Sequence, residues 1–295
     1  MKDLGFRPGF LAQLEQVSLL LRRIKPGRSA GVRRSPKKGS SVEFKDFRNY
    51  SRGDDLRRVD WNAYARLDRL FVKLFLEEQD ASVHLLVDKS RSMSWGQPSK
   101  LAFCSRAAAA LCYIALQNYD RAAVGYFSEA LVDMHGPISG KSSWKKAWEF
   151  IGEHMTSVSE GSTSLARSVA SFGERRPAPG ISVVFSDLLA QDVEAGLKSL
   201  QALSQEVTLV HVMSADEIMP PIQGELRLFD SETAQVREVS VTPAVLRAYR
   251  GKLEQRTDAL TRFCKSRGIA YLGADSAEPV EDLVLSGLRT AGLLR

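Results

Sequence analysis

The stretch Ser82-Val-His-Leu-Leu-Val-Asp-Lys-Ser-Arg-Ser-Met93 decides the fold of this chain of 295 residues. It begins with the short apolar run Val83–Val87, which is typical of a strand buried on both faces of a parallel sheet. The run leads directly into Asp88, Ser90 and Ser92. In open parallel sheets, ligands bind beyond the carboxyl ends of the strands, where the strand order reverses. The sequence therefore predicts a binding site at the end of this strand.

A second apolar run ends in the same way. Ile181–Phe185 leads into Ser186 and Asp187, and between the two runs Thr163 stands at the start of a predicted helix. If the two strands flank the point of reversal, these side chains converge on one crevice. The candidate metal ligands are two carboxylates and three hydroxyls: Asp88, Ser90, Ser92, Thr163 and Asp187. Because such an all-oxygen set suits a small hard cation, Mg²⁺ or another divalent cation such as Mn²⁺ is the expected cofactor.

The chain after residue 69 alternates strand-like and helix-like stretches. This alternation predicts an α/β fold with a doubly wound, mainly parallel sheet and helices on both faces. Two pairs of strands are joined too tightly for a crossover helix and should form hairpins, 122–127 with 130–134 and 226–229 with 236–241. We expect the second strand of the first hairpin to lie antiparallel at one edge of the sheet.

The N-terminal part has a different pattern. Apolar residues at helical spacing predict an amphipathic helix over 8–24, residues 26–41 have the composition of a flexible connection, and 43–69 are densely charged. We therefore expect two parts: residues 1–69 as a helix and an extended arm packed on the domain, and residues 70–295 as the α/β domain.

Composition excludes several classes of protein. With 44% hydrophobic and 26% charged residues, the chain has the balance of a soluble globular protein rather than of a disordered chain or a coiled coil. The longest apolar run, Ala107–Leu116, has ten residues, whereas a membrane-spanning helix needs about 20. No signal-peptide pattern is expected at the N-terminus, and three scattered cysteines indicate reduced thiols and a cytoplasmic location.

The net charge of +6 is concentrated in residues 22–38, which contain eight basic residues and no acidic one. Such a run can bind phosphate backbones or anionic lipids. It has no aromatic residue on which a base could stack, so a solvated linker is the favoured interpretation and nucleic acid is not an expected partner. Binding of nucleic acid or an anionic membrane through this segment stays an alternative.

The candidate site resembles a known one, and the segment before it resembles a known family. Asp88-x-Ser90-x-Ser92 with Thr163 and Asp187 is similar to the metal-ion-dependent adhesion site of von Willebrand factor A domains. Glu43-Phe44, Arg48-x-Tyr50-x-x-Gly53-Asp54-Asp55-x-Arg57-x-x-Asp60-Trp61, Ala65-Arg66, His211-Val212, Glu217 and Asp230-x-Glu232 resemble domain of unknown function family 58 over roughly residues 40–240. This resemblance implies a von Willebrand factor A-like fold, an intact metal site and association with MoxR-type AAA+ ATPases.

The expected function is a non-catalytic protein-interaction module. Ser90, Ser92 and Thr163 would ligate the metal directly, and Asp88 and Asp187 through water, or one of them directly. Neutral hydroxyl ligands leave a divalent ion able to accept an Asp or Glu side chain from a partner, such as a MoxR-type AAA+ ATPase or its client. No catalytic residues are predicted, since the metalloprotease and serine-hydrolase motifs are absent from the sequence.

An NTPase is the competing hypothesis. Residues 136–142 resemble a phosphate-binding loop, but three residues separate the two glycines where the motif needs four. His211 lies on an apolar run, and we expect it to be a hydrogen-bonded core histidine rather than a functional one.

Overall fold

The computed structural model describes residues 5–19, 43–76, 81–159, 163–229 and 236–294. Among them, 5–19 and 81–294 belong to one compact unit, and 43–76 belong to a second, smaller unit. The described helices are α1 (Phe10–Leu14), α2 (Trp61–Leu67), α3 (Lys100–Gln117), α4 (Trp144–His154), α5 (Leu165–Glu174), α6 (Val193–Ala202), α7 (Ala215–Ile218), α8 (Pro243–Arg267), α9 (Val280–Asp282) and α10 (Leu288–Thr290). The described strands are β1 (Glu43–Asn49), β2 (Phe71–Leu76), β3 (Ser82–Asp88), β4 (Arg121–Phe127), β5 (Leu131–Ser139), β6 (Gly180–Ser186), β7 (Gln205–Met213), β8 (Gly224–Phe229), β9 (Val236–Val241) and β10 (Ala270–Asp275). Short 3-10 turns cover Leu56–Arg58, Arg91–Ser94 and Lys141–Ser143, and a π-helical turn covers Leu283–Gly287.

A six-stranded sheet in the order β10-β7-β6-β3-β4-β5 forms the centre of the larger unit. Its neighbours pair in parallel except β4 and β5, which form an antiparallel hairpin at one edge, as predicted. β3 pairs with β6 in the register Val87↔Phe185, so the two polar strand ends are neighbours. The chain thus has a mixed α/β fold with a mostly parallel central sheet.

Helices cover both faces of this sheet, which explains why its central strands are apolar throughout. Along β3, Leu85 packs into one core with residues of α3 and α4, while Leu86 packs into the other with residues of α5, α6 and α8. Adjacent residues of a strand point to opposite faces, so an apolar run without alternation is what a doubly covered strand requires.

A glycine in α6 shows how tightly this helix packs on α5, and a glycine in α8 provides the contrast. A Cβ at Gly196 would lie 2.5 Å from Cγ of Leu165, whereas a Cβ at Gly251 in α8 would meet no described atom within 4 Å. We expect Gly196→Ala to lower the free energy of unfolding by about 1–3 kcal/mol through overpacking. Gly251→Ala should raise it by about 0.5–1 kcal/mol, because alanine favours the helix. Urea denaturation would measure the free energy of unfolding of both variants. Equal changes in the two variants would contradict the difference in packing between Gly196 and Gly251.

The predicted N-terminal helix over 8–24 is shorter in the structure. Only Phe10–Leu14 is helical among residues 5–19, and Leu19 instead forms an isolated β-bridge with Leu294. Phe10 and Leu14 are buried in the core of the larger unit, so packing rather than helix length holds this segment. Residues 20–24 of the prediction, the connection 26–41 and the whole basic segment 22–38 lie outside the described residues.

The smaller unit contains an antiparallel pair of strands, β1 and β2, whose connection includes a 3-10 turn and the short helix α2. The side chain of Asp60 accepts hydrogen bonds from the backbone at the start of α2, and Arg48 forms a bidentate pair with Asp54. The predicted domain boundary between residues 69 and 70 falls inside this smaller unit, between its two hydrogen-bonded strands.

The second predicted hairpin forms from β8 and β9, while its turn at 230–235 lies outside the described residues. Within the part of the chain that the structure describes, no helix is both long and apolar enough to cross a membrane.

Candidate metal centre

Asp88 is the last residue of β3 and is completely buried. Its Oδ1 accepts a hydrogen bond from the backbone N–H of Ser90 at 2.9 Å, and its Oδ2 accepts one from Oγ of Ser186 at 2.6 Å. Burial, and secondarily the nearby carboxylate of Asp187, raise the pKa of Asp88 to about 7. The carboxylate is therefore fixed between two neighbouring strand ends, in a place where its negative charge is poorly compensated.

Ser90 and Ser92 follow Asp88 in a tight turn. Their two Oγ atoms lie 3.2 Å apart, and Ser90 is fully buried. Neither serine caps α3, because Ser99 does so by accepting a hydrogen bond from the backbone N–H of Ala102. The structure thus removes the simplest structural explanation for these two hydroxyls.

Thr163 lies on a segment that is tied to the same edge of the sheet. On one side of it, the backbone N–H of Ser159 donates to the carbonyl of Lys89 at 2.7 Å; on the other, that of Ser164 donates to the carbonyl of Ser128 at 3.0 Å. Lys89 follows β3 and Ser128 follows β4, so Ser159 and Ser164 are each held at the carboxyl end of one of two paired strands.

The hydroxyl of Thr163 has no hydrogen-bond partner among the described residues, although its oxygen is buried. It does not cap α5 either, since the N-cap is Ser164, whose Oγ accepts from the backbone N–H of Arg167. Buried polar atoms in folded proteins are nearly always paired, and an unpaired one often marks an absent water or ion. Thr163 is thus the clearest sign of a ligand at this edge.

Asp187 makes a contact that the sequence did not predict. Its Oδ2 accepts a hydrogen bond from Nζ of Lys100 at 2.8 Å, and the same Nζ lies 2.5 Å from Oε1 of Glu217. Lys100 is 0% exposed. Burial lowers its pKa, but the two carboxylates outweigh this and raise the pKa of Lys100 above its usual value. The ammonium is therefore charged inside the protein.

A signal for Lys100 was present in the sequence, though it did not identify the partners. Lys100 is the first residue of the Ala-rich helix α3, where a positive charge opposes the helix dipole. A lysine at the first position of a helix that is buried along most of its length indicates a nearby acidic side chain.

His211 on β7 is buried and hydrogen-bonded, in line with the expected core histidine. Its Nδ1 lies 2.7 Å from Oη of Tyr271, and burial lowers the pKa of His211 to about 4. The imidazole is consequently neutral at physiological pH.

The segment that resembles a phosphate-binding loop lies elsewhere in the fold. Residues 136–139 belong to β5, where Ile138 and Ser139 pair with β4. The first four residues of the segment are therefore part of a sheet edge, and Lys141 and Ser142 lie in the 3-10 turn that follows, rather than in a loop whose backbone amides surround a phosphate.

The described part of the chain holds no group of three or more His, Cys, Asp and Glu side chains arranged for a metal ion. A metal at the edge formed by β3 and β6 would therefore depend on hydroxyl oxygens as well as on carboxylates. The donors gathered there, Asp88, Ser90, Ser92 and Asp187, with Thr163 on the adjoining segment, are oxygens of the kind that Mg²⁺ prefers.

Comparison with known proteins adds a family but no activity. A model of the family described as "Protein of unknown function DUF58" matches residues 46–259. The uncharacterized proteins Mb1516 of Mycobacterium bovis and Rv1480 of Mycobacterium tuberculosis are each 25% identical to this chain over 211 residues. The match covers 70% of this chain and 66% of each relative, so the chain spans slightly less than two thirds of their length.

Two solved structures show a distant likeness. The conserved hypothetical protein BatB from Bacteroides thetaiotaomicron has a TM-score of 0.42 and 16% identity, covering 72% of this chain and 98% of its own. An aerotolerance-related membrane protein from Bacteroides fragilis has a TM-score of 0.43 and 18% identity, covering 71% and 99%. TM-scores at this level do not bear on the site.

Proposed function

The chain belongs to the family of proteins of unknown function DUF58, and we propose that it is a non-catalytic, divalent-metal-dependent protein-interaction module. In this proposal the larger unit is a von Willebrand factor A-like domain with an adhesion-type metal site. Its partner supplies an acidic side chain, and a MoxR-type AAA+ ATPase or a client of one is the leading candidate.

The observation that carries the proposal is the buried hydroxyl of Thr163, which has no hydrogen-bond partner in the part of the chain that the structure describes. Leaving such a group without a partner costs about 1–3 kcal/mol, so its retention beside the ends of β3 and β4 is best explained by a ligand. Ser90 and Ser92, whose hydroxyls lie 3.2 Å apart, would complete the set of neutral direct ligands.

The charges support a divalent ion. Asp88 and Asp187 are both buried, and burial, followed by the nearby carboxylate of Asp187, raises the pKa of Asp88. When bound, the ion would compensate the negative charge of the two carboxylates and supply an electrophilic position for an incoming carboxylate. Ser186 and the backbone of Ser90 hold Asp88, and Lys100 holds Asp187. The two carboxylates would therefore orient water ligands without large rearrangement.

The surface near the site suits a protein partner. Trp95 in the loop after β3 is 59% exposed, and Leu189, two residues after Asp187, is 54% exposed. Large apolar side chains beside a polar centre are common at protein–protein interfaces, where aromatic residues contribute much of the binding energy.

Thr163→Val tests the proposal directly, because it exchanges the hydroxyl for a methyl group of similar shape. We expect Mg²⁺ affinity to fall about 10–100-fold, the cost typical of losing a group that supports a metal site. Stability without metal should stay equal or rise, since the variant no longer buries an unpaired hydroxyl. Calorimetry with Mg²⁺ and urea denaturation in chelator measure the two effects.

The matched control is Thr261→Val, since the hydroxyl of Thr261 in α8 donates to the carbonyl of Thr257 on an exposed helix surface. That variant should leave Mg²⁺ affinity unchanged. If wild-type protein binds Mg²⁺ and Thr163→Val binds it equally well, Thr163 is not part of the metal site.

A further inference from the structure

Lys100 is a permanent cation placed where an exchangeable cation is proposed to bind. Its Nζ contacts Asp187, one of the candidate metal ligands, at 2.8 Å and Glu217 at 2.5 Å. An ammonium beside a metal ligand repels the incoming metal, so its presence in the buried site needs a reason.

We infer that the ammonium of Lys100, anchored by Glu217, limits the negative charge at Asp187 and so sets the affinity of the site for divalent cations. The inference rests on the proposed function, because it concerns the same metal site.

The charge count of the cluster is the first support. Asp88, Asp187 and Glu217 carry three carboxylates and Lys100 carries one ammonium, so the fully ionised cluster has a net charge of −2. A divalent cation neutralises that charge. Neutralising Glu217 alone would leave −1, which attracts a divalent cation less strongly, and removing Lys100 alone would leave −3, which attracts it more strongly.

The anchoring of Glu217 is the second support. Its Oε2 accepts a hydrogen bond from the backbone N–H of Ser214 at 2.8 Å, within the capping box of α7. Its carbonyl oxygen accepts one from Oη of Tyr249 in α8 at 2.6 Å. Because Glu217 is held by two helices, it keeps the ammonium at a defined place when a metal competes for Asp187.

This arrangement predicts that the two partners of one ion pair affect metal affinity in opposite directions. Glu217→Gln keeps the shape but releases the hold on Lys100, so Mg²⁺ and Mn²⁺ affinity should fall about 10-fold or more. Lys100→Met removes the competing cation, so affinity should rise by a similar factor. The double variant Lys100→Met/Glu217→Gln restores the net charge of −2 and should bind close to wild type.

Calorimetric titration of the full chain with Mg²⁺ and with Mn²⁺ measures these affinities, and circular dichroism checks the fold. Lys198→Met and Glu194→Gln are matched controls, because they make the same substitutions in an exposed pair 4.0 Å apart on α6. Each control should change affinity less than about twofold, since solvent screens that pair.

The outcomes separate this inference from the proposed function. If wild-type protein binds the metals but Glu217→Gln does not weaken binding, or both single variants shift it the same way, the inference is overturned and the metal site stands. If wild-type protein binds neither metal, both are overturned. Glu217→Gln and the charge-balanced double variant decide the question even if Lys100→Met fails to fold.

Discussion

Lys100→Met should lower the free energy of unfolding by about 3–5 kcal/mol in the absence of divalent cations, because removing one partner of a buried ion pair leaves the other charge uncompensated. The ammonium of Lys100 is 0% exposed and the side chain of Asp187 is 3% exposed, so little solvent is available to replace the lost contact. The loss should be measurable by urea denaturation in chelator.

Divalent cations should reverse part of this loss. At a Mg²⁺ concentration of 100 times the dissociation constant, binding to the native state alone adds about 2.7 kcal/mol of stability. Lys198→Met, in an exposed pair, should change stability by less than about 0.5 kcal/mol. If Lys100→Met lowers the free energy of unfolding no more than Lys198→Met does, the buried ion pair does not form as the structure shows it.

Capture of protein partners should be almost completely lost in chelator, because in the proposed mechanism the metal forms the contact with the partner's acidic side chain. Asp88→Ala and Ser90→Ala should have the same effect, with at least about a 10-fold loss of metal affinity. Affinity capture from a native cell lysate, run in parallel with Mg²⁺ and with chelator, measures this dependence. Direct binding of a purified MoxR-type ATPase then tests the leading candidate.

Arg33→Ala/Arg34→Ala is the control for non-specific attraction, since it lowers the charge of the basic segment without touching the site. It should matter little at moderate salt. Partners that bind equally well in chelator and to Asp88→Ala would refute the adaptor mechanism. ATP hydrolysis by the purified chain would instead support the NTPase hypothesis.

Much of the fold followed from local patterns. The apolar runs Val83–Val87 and Ile181–Phe185 predicted neighbouring parallel strands, and both occur in β3 and β6. The pattern is informative because a strand covered by helices on both faces must be apolar at nearly every position. The antiparallel edge strand β5 was predicted from the short connection after β4, since only an antiparallel partner can be reached in so few residues.

Helix length at the N-terminus was predicted less well. Apolar spacing indicated a helix over 8–24, but only Phe10–Leu14 is helical among residues 5–19. Periodicity reports which side chains need burial, and here burial is achieved by a short helix followed by the bridge between Leu19 and Leu294. Local propensity did not reveal that tertiary contact.

By itself, the sequence determined the mixed α/β architecture and the gathering of Asp88, Ser90 and Asp187 at two adjacent strand ends. These features depend on strand order and on residues next to one another in the chain. Tertiary structure alone decided that Lys100 meets Asp187 and Glu217, which lie 87 and 117 residues away, and that Thr163 is left without a partner among the described residues. The physical reason is that burial is encoded in the local pattern of side chains, whereas the partner of a buried charge or hydroxyl depends on which distant elements pack together.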